Sequence, residues 1–387
     1  MAESVALWCV GLGLGLGLYA YLGYPLLLKL LGYVTRRPLH LEEPEEWPLI
    51  TVQIPAYNEE ASIARVLDAV LASDYPADKR QILVGSDAST DRTDEIVRRY
   101  ADRGVELIRM PERSGKTATE NAMRAVRRGE VVVHIDAAVR IDPGAIKLLV
   151  MACLAADVGV ASSRDISTAG EHEVTDSGES SYVGYEMWVR RLETRVYGIT
   201  GVSGSFFANR RGLYPPLVPI ALSSDFASAL YARRQGLRAV SVDQAIGYVP
   251  RNPSLRREFR RKVRTMTRGL ETLWYNRDLL NPLRYGLFAW MLWSHKLIRW
   301  LALPGLALAT AGWLLLAVVQ RSALMAAPVL VVGLLALAGW YWPEGRRAPR
   351  FVTASAYLVT GIHAALEAWF RAVRGELNPI WEPTRRT

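Results

Sequence analysis

The chain has 387 residues, half of them hydrophobic, and a formal net charge of +9 at pH 7. This length leaves room for a domain of about 230 residues together with membrane segments. The two cysteines, Cys9 and Cys153, lie in an apolar segment and on a predicted core face, which excludes a disulfide framework and a zinc site. No nucleic-acid-binding motif accompanies the basic charge, so we exclude nucleic acid and assign the charge to a membrane surface and a phosphorylated substrate.

The chain begins with an apolar segment. The run from Val5 to Leu28 is long enough to span a bilayer, and three basic residues follow it: Lys29, Arg36 and Arg37. Residues 1–37 are therefore predicted to form a transmembrane segment with its N-terminus outside the cell and its other end in the cytoplasm. Close approach by a second helix is predicted at four alternating glycines: Gly11, Gly13, Gly15 and Gly17.

Strand-like and helix-like segments alternate between Thr51 and Asp142, which predicts an α/β domain with parallel strands. Each strand is followed by a polar residue: Asn58, Asp87, Lys116 and Asp136. Ligands bind outside the carboxyl ends of such strands, and a cation with carboxylates suits a phosphorylated ligand and a metal. The alternative is that these residues only cap strand ends. Asn58 is also predicted to be the N-cap of the first helix, and Gly129 the C-cap of the third.

Four motifs carry a family resemblance: Pro55-Ala-Tyr-Asn-Glu59, Ser86-Asp-Ala-Ser-Thr-Asp91, Ser114-Gly-Lys116 with Asn121, and His134-Ile-Asp-Ala-Ala138. In order and spacing they resemble the donor-binding half of membrane-integrated family 2 glycosyltransferases, such as cellulose, hyaluronan and poly-N-acetylglucosamine synthases. The resemblance implies a GT-A fold, which is a Rossmann-like mixed sheet, over residues 38–252. It also implies a UDP-sugar as the donor and transfer with inversion.

The resemblance assigns roles to the strand-end residues. It implies that Tyr57 packs near the nucleobase, that Asp87 hydrogen-bonds the base and that Glu59 contacts the ribose, with Pro55 in the same motif. Lys116 would stabilise the diphosphate. Asp136 would bind Mg²⁺ or Mn²⁺, although Ala138 stands where the resembled enzymes usually have a second aspartate.

The acceptor side is predicted from two further motifs. Val202-Ser-Gly-Ser-Phe-Phe207 resembles the strand under the acceptor sugar, where Gly204 would allow a ligand to approach; the alternative is a core strand with a tight turn. Asp225, in Ser223-Ser-Asp-Phe226, occupies the position of the catalytic base, although a Ser-Ser-Asp sequence at a helix start is also a typical N-cap. Residues 165–180 are predicted to form a mobile loop over the site.

Residues 253–300 are predicted to form interfacial helices. The segment from Arg256 to Tyr275 is basic and amphipathic. Relatives of the resembled family often have Gln-x-x-Arg-Trp here, and the aligned residues are Arg261, Arg264 and Thr265. We predict that both arginines bind substrate and that Arg264 clamps the diphosphate. A second interfacial helix is predicted from Leu283 to Trp300.

Residues 301–370 are predicted to be membrane helices. Two spans are expected, Leu301 to Val319 and Ala323 to Trp342. The run from Phe351 to Phe370 contains His363 and Glu367 and is predicted to be interfacial or re-entrant. The basic tail, residues 371–387, is then predicted to lie in the cytoplasm.

These features predict a multi-pass enzyme of the cell membrane with a cytoplasmic catalytic domain. It would transfer a sugar from a UDP-sugar to a growing polysaccharide. Its expected partners are membrane lipids and an export or regulatory protein. A first alternative is transfer of one sugar to a polyprenyl phosphate. Two others are a nucleotide-binding pseudoenzyme, prompted by Ala138, and a nucleotide-sugar-regulated channel or scaffold. The polysaccharide hypothesis is favoured by a complete set of charged residues: Asp87, Lys116, Asp136, Asp225 and Arg264.

Overall fold

The structure is a computed structural model and describes residues 1–35, 37–168, 178–250, 255–343 and 348–376, with side chains omitted at 178–183. The chain divides at Leu30 and Arg251 into two compact units. We call residues 31–251 the sheet unit, and residues 1–30 together with 252–377 the helical unit.

The sheet unit is built on one eight-stranded sheet in the order β3-β2-β1-β4-β7-β6-β8-β5. The strands β1 to β4 are parallel, β7 is antiparallel to β4 and β6, β6 is parallel to β8, and β5 is antiparallel to β8. The predicted mixed sheet is therefore confirmed. The strands are β1 Ile50–Ala56, β2 Arg80–Ser86, β3 Val105–Arg109, β4 Val131–Ile135, β5 Arg140–Ile141, β6 Val158–Thr168, β7 Phe206–Arg210 and β8 Arg238–Pro250.

Most helices of the sheet unit alternate with its strands, whereas the helical unit holds the long apolar helices. In chain order the helices are α1 Ala2–Leu18, α2 Tyr24–Val34, α3 Ile63–Leu71, α4 Thr93–Arg98, α5 Lys116–Arg124, α6 Ala145–Leu154, α7 Gly178–Val196, α8 Ser224–Arg234, α9 Leu255–Tyr275, α10 Pro282–Tyr285, α11 Leu287–Leu292, α12 Arg299–Val319, α13 Ala323–Trp340 and α14 Arg350–Arg374.

The two faces of the central sheet differ in chemistry. Alternate residues of β1, such as Val52 and Ile54, belong to the main hydrophobic core. On the opposite face of β1 the buried residues are polar: Thr51 Oγ1 donates to Gln81 Oε1 at 2.8 Å, and Gln53 Nε2 lies 2.9 Å from His134 Nδ1. The period of two along β1 thus separates apolar from hydrogen-bonded side chains.

Two predicted caps were wrong. Asn58 is not an N-cap, since α3 begins after Ser62; Asn58 has a positive φ of 52° and its Oδ1 accepts from Thr90 N at 2.8 Å. Gly129 is not a helix C-cap, since α5 ends at Arg124. A Cβ on Gly129 would overlap the β1 backbone, so a close approach between two chain segments requires this glycine.

Two predicted boundaries also change. The strand predicted from Val202 to Phe207 begins only at Phe206, which leaves the Ser203–Ser205 segment as a turn. The bounds predicted for a mobile loop, 165–180, were wrong at both ends, because β6 extends to Thr168 and α7 begins at Gly178; residues 169–177 lie outside the described part of the chain.

Within the described residues, four helical runs are long and apolar enough to cross a membrane: Ala2–Val34, Leu287–Val319, Ala323–Trp340 and Arg350–Arg374. The second run, Leu287–Val319, contains most of the predicted interfacial helix, Leu283 to Trp300, together with the predicted span from Leu301 to Val319. The fourth, α14, is an unbroken helix of 25 residues that packs against α9 and α13. Whether α14 crosses the membrane or lies at its surface stays a prediction.

The helix α1 packs closely against α12 through small residues. A Cβ on Gly13 would overlap Gly305 O, and a Cβ on Gly312 would lie 2.8 Å from Ala6 O. Of the four glycines predicted to allow such an approach, Gly13 does so. At the other three, a Cβ would meet no heavy atom within 4 Å among the residues described.

Candidate active site

Lys116 begins α5 and joins two of the predicted site segments. Its Nζ donates to Asp136 Oδ1 at 2.6 Å and to the carbonyl oxygen of Gly204 at 3.1 Å. Asp136 follows β4, and Gly204 lies in the turn before β7, the neighbouring strand in the sheet. The parallel arrangement of β1 to β4 therefore brings the end of β4 and the start of α5 to one edge, as the sequence predicts.

Three carboxylates act on the Lys116 ammonium. Burial alone would lower the pKa of Lys116, but the charges of Asp136, Glu120 and Asp225 outweigh burial and raise that pKa above its ordinary value. Lys116 is therefore charged at neutral pH. Because three carboxylates surround one ammonium, this region has an excess of negative charge and favours the arrival of a cation together with any phosphate group.

Asp225 lies in the first turn of α8 and contacts Gly204. Its Oδ1 accepts from Ser223 Oγ and from Phe226 N, the latter at 2.8 Å. A Cβ on Gly204 would overlap the other carboxylate oxygen, Oδ2, so a larger residue there would displace the Asp225 side chain. Asp225 is thus fixed by its own helix start and lies next to the residue that Lys116 binds.

Asp87 fixes the loop that precedes Lys116. Its two carboxylate oxygens accept from Ser114 N at 2.7 Å and from Gly115 N at 2.8 Å. The preceding residue, Arg113, lies over the ring of Tyr57 with its Cζ 4.1 Å from the ring centroid. The predicted base-binding residues, Tyr57 and Asp87, are therefore linked through one short loop.

The remaining predicted residues belong to other segments of the chain. Pro55 is in β1 opposite Gly85, and Glu59 Oε2 accepts from Ser62 Oγ at 2.6 Å in the turn after β1. Arg261 pairs with Glu258 at 2.7 Å, and both Arg261 and Arg264 lie on α9 of the helical unit. Their assignment to the diphosphate stays a prediction.

The acidic residues present fit a divalent cation only in part. In the chain segments that the structure describes, no group of three or more His, Cys, Asp or Glu side chains could hold a metal ion. Asp136 supplies one carboxylate, its side chain 28% exposed, and Ala138 supplies no ligand. This donor set fits a cation that takes its remaining ligands from phosphate oxygens and water, as Mg²⁺ commonly does.

Sequence reasoning missed two carboxylates near the site, the buried Glu120 and the half-buried Asp165. Glu120 lies one helical turn after Lys116, and its Oε1 is 3.8 Å from His134 Nδ1. Burial would raise the pKa of Glu120, but His134 and Lys116 lower it to about 2. Asp165, on β6, accepts from Ser203 and Ser205 on either side of Gly204. Glu120 could have been found from its position one helical turn after Lys116. No feature of the sequence pointed to Asp165.

The comparisons with known proteins agree with this geometry. Residues 51–215 match the model of the family described as Glycosyl transferase family 2. The cellulose synthase catalytic subunit (UDP-forming) of Pseudomonas fluorescens is 36% identical over 132 residues, which are 32% of this chain and 18% of that protein. The β-monoglucosyldiacylglycerol synthase of a Nostoc species is 24% identical over 206 residues, which are 51% and 43% of the two chains. The match spans less than half the length of either relative.

A solved structure resembles the whole chain. It is the mannosyltransferase PcManGT of Pyrobaculum calidifontis in complex with GDP-Man and Mn²⁺; the TM-score is 0.70, the identity 22%, and the superposition covers 97% of this chain and 100% of that one. At this identity the likeness establishes the fold. The chain therefore has the GT-A fold, its residues 51–215 match family 2 glycosyltransferases, and the described residues include four apolar helical runs long enough to cross a membrane.

Proposed function

We propose that this protein is an inverting, membrane-bound glycosyltransferase that moves a sugar from a nucleotide-diphosphate sugar, a UDP-sugar in the first instance, to an acceptor hydroxyl. The observation that carries the proposal is the contact of Lys116 with both Asp136 and Gly204, while Gly204 packs against Asp225. The Lys116 ammonium, which would bind the diphosphate, and the Asp225 carboxylate, which would act on the acceptor, thereby both contact Gly204.

In the proposed reaction the acceptor oxygen attacks the anomeric carbon and forms the new glycosidic bond. Asp225 takes the hydroxyl proton, and the bond between the anomeric carbon and the phosphate oxygen breaks with its electron pair on the leaving diphosphate. Lys116, with Arg264 as a further predicted group, stabilises the charge that develops on the diphosphate. Attack from the face opposite the leaving group inverts the anomeric centre.

Asp136 is the residue that would hold Mg²⁺ or Mn²⁺ in this proposal. The cation would neutralise diphosphate charge when it is bound. The excess of carboxylates around Lys116 supports this assignment, since a diphosphate alone would meet net negative charge there. Asp87, Tyr57 and Glu59 remain the proposed contacts for the nucleoside.

The acceptor has two candidates. A growing polysaccharide is the first, supported by the similarity to a protein named as a cellulose synthase. A lipid-linked acceptor is the second, supported by relatives named as a β-monoglucosyldiacylglycerol synthase and a dolichyl-phosphate β-glucosyltransferase. Thr265, where polymer-making relatives commonly have tryptophan, weakens the case for a stacked polymer chain.

The direct test uses the purified full chain in lipid nanodiscs with a panel of radiolabelled UDP-sugars and, for comparison, GDP-sugars. Release of free nucleotide that depends on an acceptor would establish transfer. A labelled product of high mass would identify polysaccharide synthesis, whereas label that partitions into organic solvent would identify a lipid acceptor. Nucleotide binding without turnover under any of these conditions would contradict the proposal and favour a pseudoenzyme.

A further inference from the structure

The turn that contains Gly204 is held by one carboxylate outside the predicted catalytic set. Ser203 Oγ donates to Asp165 Oδ2 at 2.5 Å, and Ser205 Oγ donates to the same oxygen at 2.8 Å. Ser203 N also donates to Ser162 Oγ at 2.8 Å. The two residues flanking Gly204 are thus tied to β6 by their side chains.

The other side of the same turn faces the candidate site. Asp136 N donates to Ser205 O at 2.9 Å, and Lys116 Nζ donates to Gly204 O at 3.1 Å. Gly204 also packs directly against the Asp225 carboxylate. Lys116, Asp136 and Asp225 therefore all contact this three-residue turn, Asp136 through its backbone and the other two through their side chains.

Asp165 is itself rigidly placed. It lies in β6 and is paired with Gly247 of β8, and its Oδ1 accepts from Ser163 Oγ at 3.2 Å. Burial raises the pKa of Asp165, against the opposing effects of the Ser203 and Ser205 hydroxyls and of the Arg190 charge. A carboxylate held on a strand offers the two serines a fixed acceptor that a flexible residue would not.

Building on the proposed transferase function, we propose that Asp165 is a positioning residue that holds the Ser203–Ser205 turn so that Gly204 keeps Asp225 at a fixed distance from Lys116. Asp165 acts through the two serine hydroxyls. Misplacing a catalytic group by about 1 Å can cost roughly 100-fold in rate, so the turn is a place where small shifts matter.

The test compares three variants of the full chain in nanodiscs. Asp165→Ala removes the acceptor of both serines and should lower kcat roughly 10- to 100-fold, with a much smaller change in UDP affinity, because the proposed nucleoside contacts, Tyr57, Glu59 and Asp87, lie outside the turn. Asp165→Asn keeps one carbonyl oxygen and should restore most of kcat. The matched control is Asp102→Ala, which removes an exposed carboxylate in the turn before β3 and should behave as wild type.

A second readout does not depend on activity. Amide hydrogen exchange should be faster at Asp136 N and across residues 203–205 in Asp165→Ala, with no change in the strands β1 and β2. Equal exchange and equal kcat in Asp165→Ala and Asp102→Ala would overturn the inference, as would a parallel loss of UDP affinity and folding. If wild type neither binds nucleotide nor transfers sugar, the proposed function fails, and the exchange data alone decide the role of Asp165.

Discussion

At the scale of single residues, Asp225 is the group on which the proposed chemistry depends. Asp225→Asn should lower turnover by about 10²- to 10⁴-fold, the usual contribution of a general base, because the acceptor proton then has no carboxylate to receive it. UDP affinity should change little, since the base acts on the acceptor. Steady-state kinetics with isothermal titration of UDP check both. Turnover within about tenfold of wild type would move the role of the base to another carboxylate, with Glu186 and Glu193 of α7 as the next candidates.

Gly204 gives a steric test of the same site. Gly204→Ala places a methyl group where the Asp225 carboxylate lies, so we expect Asp225 to shift and turnover to fall sharply without loss of folding. Gly212→Ala is the matched control, because a Cβ there meets no heavy atom within 4 Å among the described residues. Kinetics and circular dichroism of the two variants are the measurement. Equal turnover in both would show that the contact has no catalytic importance.

Ala138 predicts a weak metal site. With Asp136 as one protein ligand, a cation should bind together with UDP and scarcely without it. Ala138→Asp adds a second carboxylate and should lower the Mg²⁺ or Mn²⁺ concentration needed for half-maximal activity. Metal titrations of both proteins, with and without UDP, measure this. Full wild-type activity in excess chelator would instead leave Lys116 and Arg264 to carry the diphosphate charge.

The residues that sequence reasoning found and missed differ in one physical respect. Asp87, Lys116 and Asp136 follow predicted strands, so the geometry of a parallel sheet is enough to bring them to one edge. Glu120 and Asp165 lie inside a helix and a strand, where side-chain direction decides their role. Asp165 meets its two serine partners through chain segments about 40 residues away, and only the folded structure reveals that contact.

At the scale of elements, the alternation of strand-like and helix-like segments predicted the parallel strands β1 to β4 and the helices between them. It did not predict the full length of β6 and β8, which continue to Thr168 and Pro250. The extra residues of these two strands pair with each other, after a register shift at Ser163 and Arg164. Pairing between strands that are distant in sequence can stabilise residues that lack a clear alternating pattern. The full length of β6 and β8 was therefore not predictable from either segment alone.

The contact between α1 and α12 gives an element-scale prediction. Gly13→Leu should separate the two helices and lower the thermal stability of the protein in detergent, because its side chain has no space beside Gly305. Gly15→Leu is the control, since a Cβ at Gly15 meets no described heavy atom within 4 Å. Thermal unfolding followed by size-exclusion chromatography compares them. Equal melting of the two variants would contradict the packing.

At the scale of the whole molecule, membrane topology depends on α14. With the N-terminus outside, three spans place the sheet unit and residues 371–387 together in the cytoplasm, as the basic charge of the tail predicts. If α14 also crosses, the tail lies outside. Residues 377–387 lie beyond the described part of the chain, so labelling must decide. A Thr387→Cys variant in spheroplasts should resist a membrane-impermeant thiol reagent, and labelling from outside would contradict the prediction.

The ion pair between Lys116 and Asp136 also bears on how a donor is chosen. If Lys116 binds the diphosphate, the incoming ligand has to exchange with a carboxylate that already holds the ammonium at 2.6 Å. The electrostatic free energy gained on binding is then the difference between the new ion pair of Lys116 with the ligand and the existing ion pair of Lys116 with Asp136. A ligand with little more charge than a carboxylate gains almost nothing from this exchange. A pre-existing salt bridge of this kind therefore favours a donor that arrives together with a divalent cation, because the cation would take over Asp136 and free Lys116 for the diphosphate.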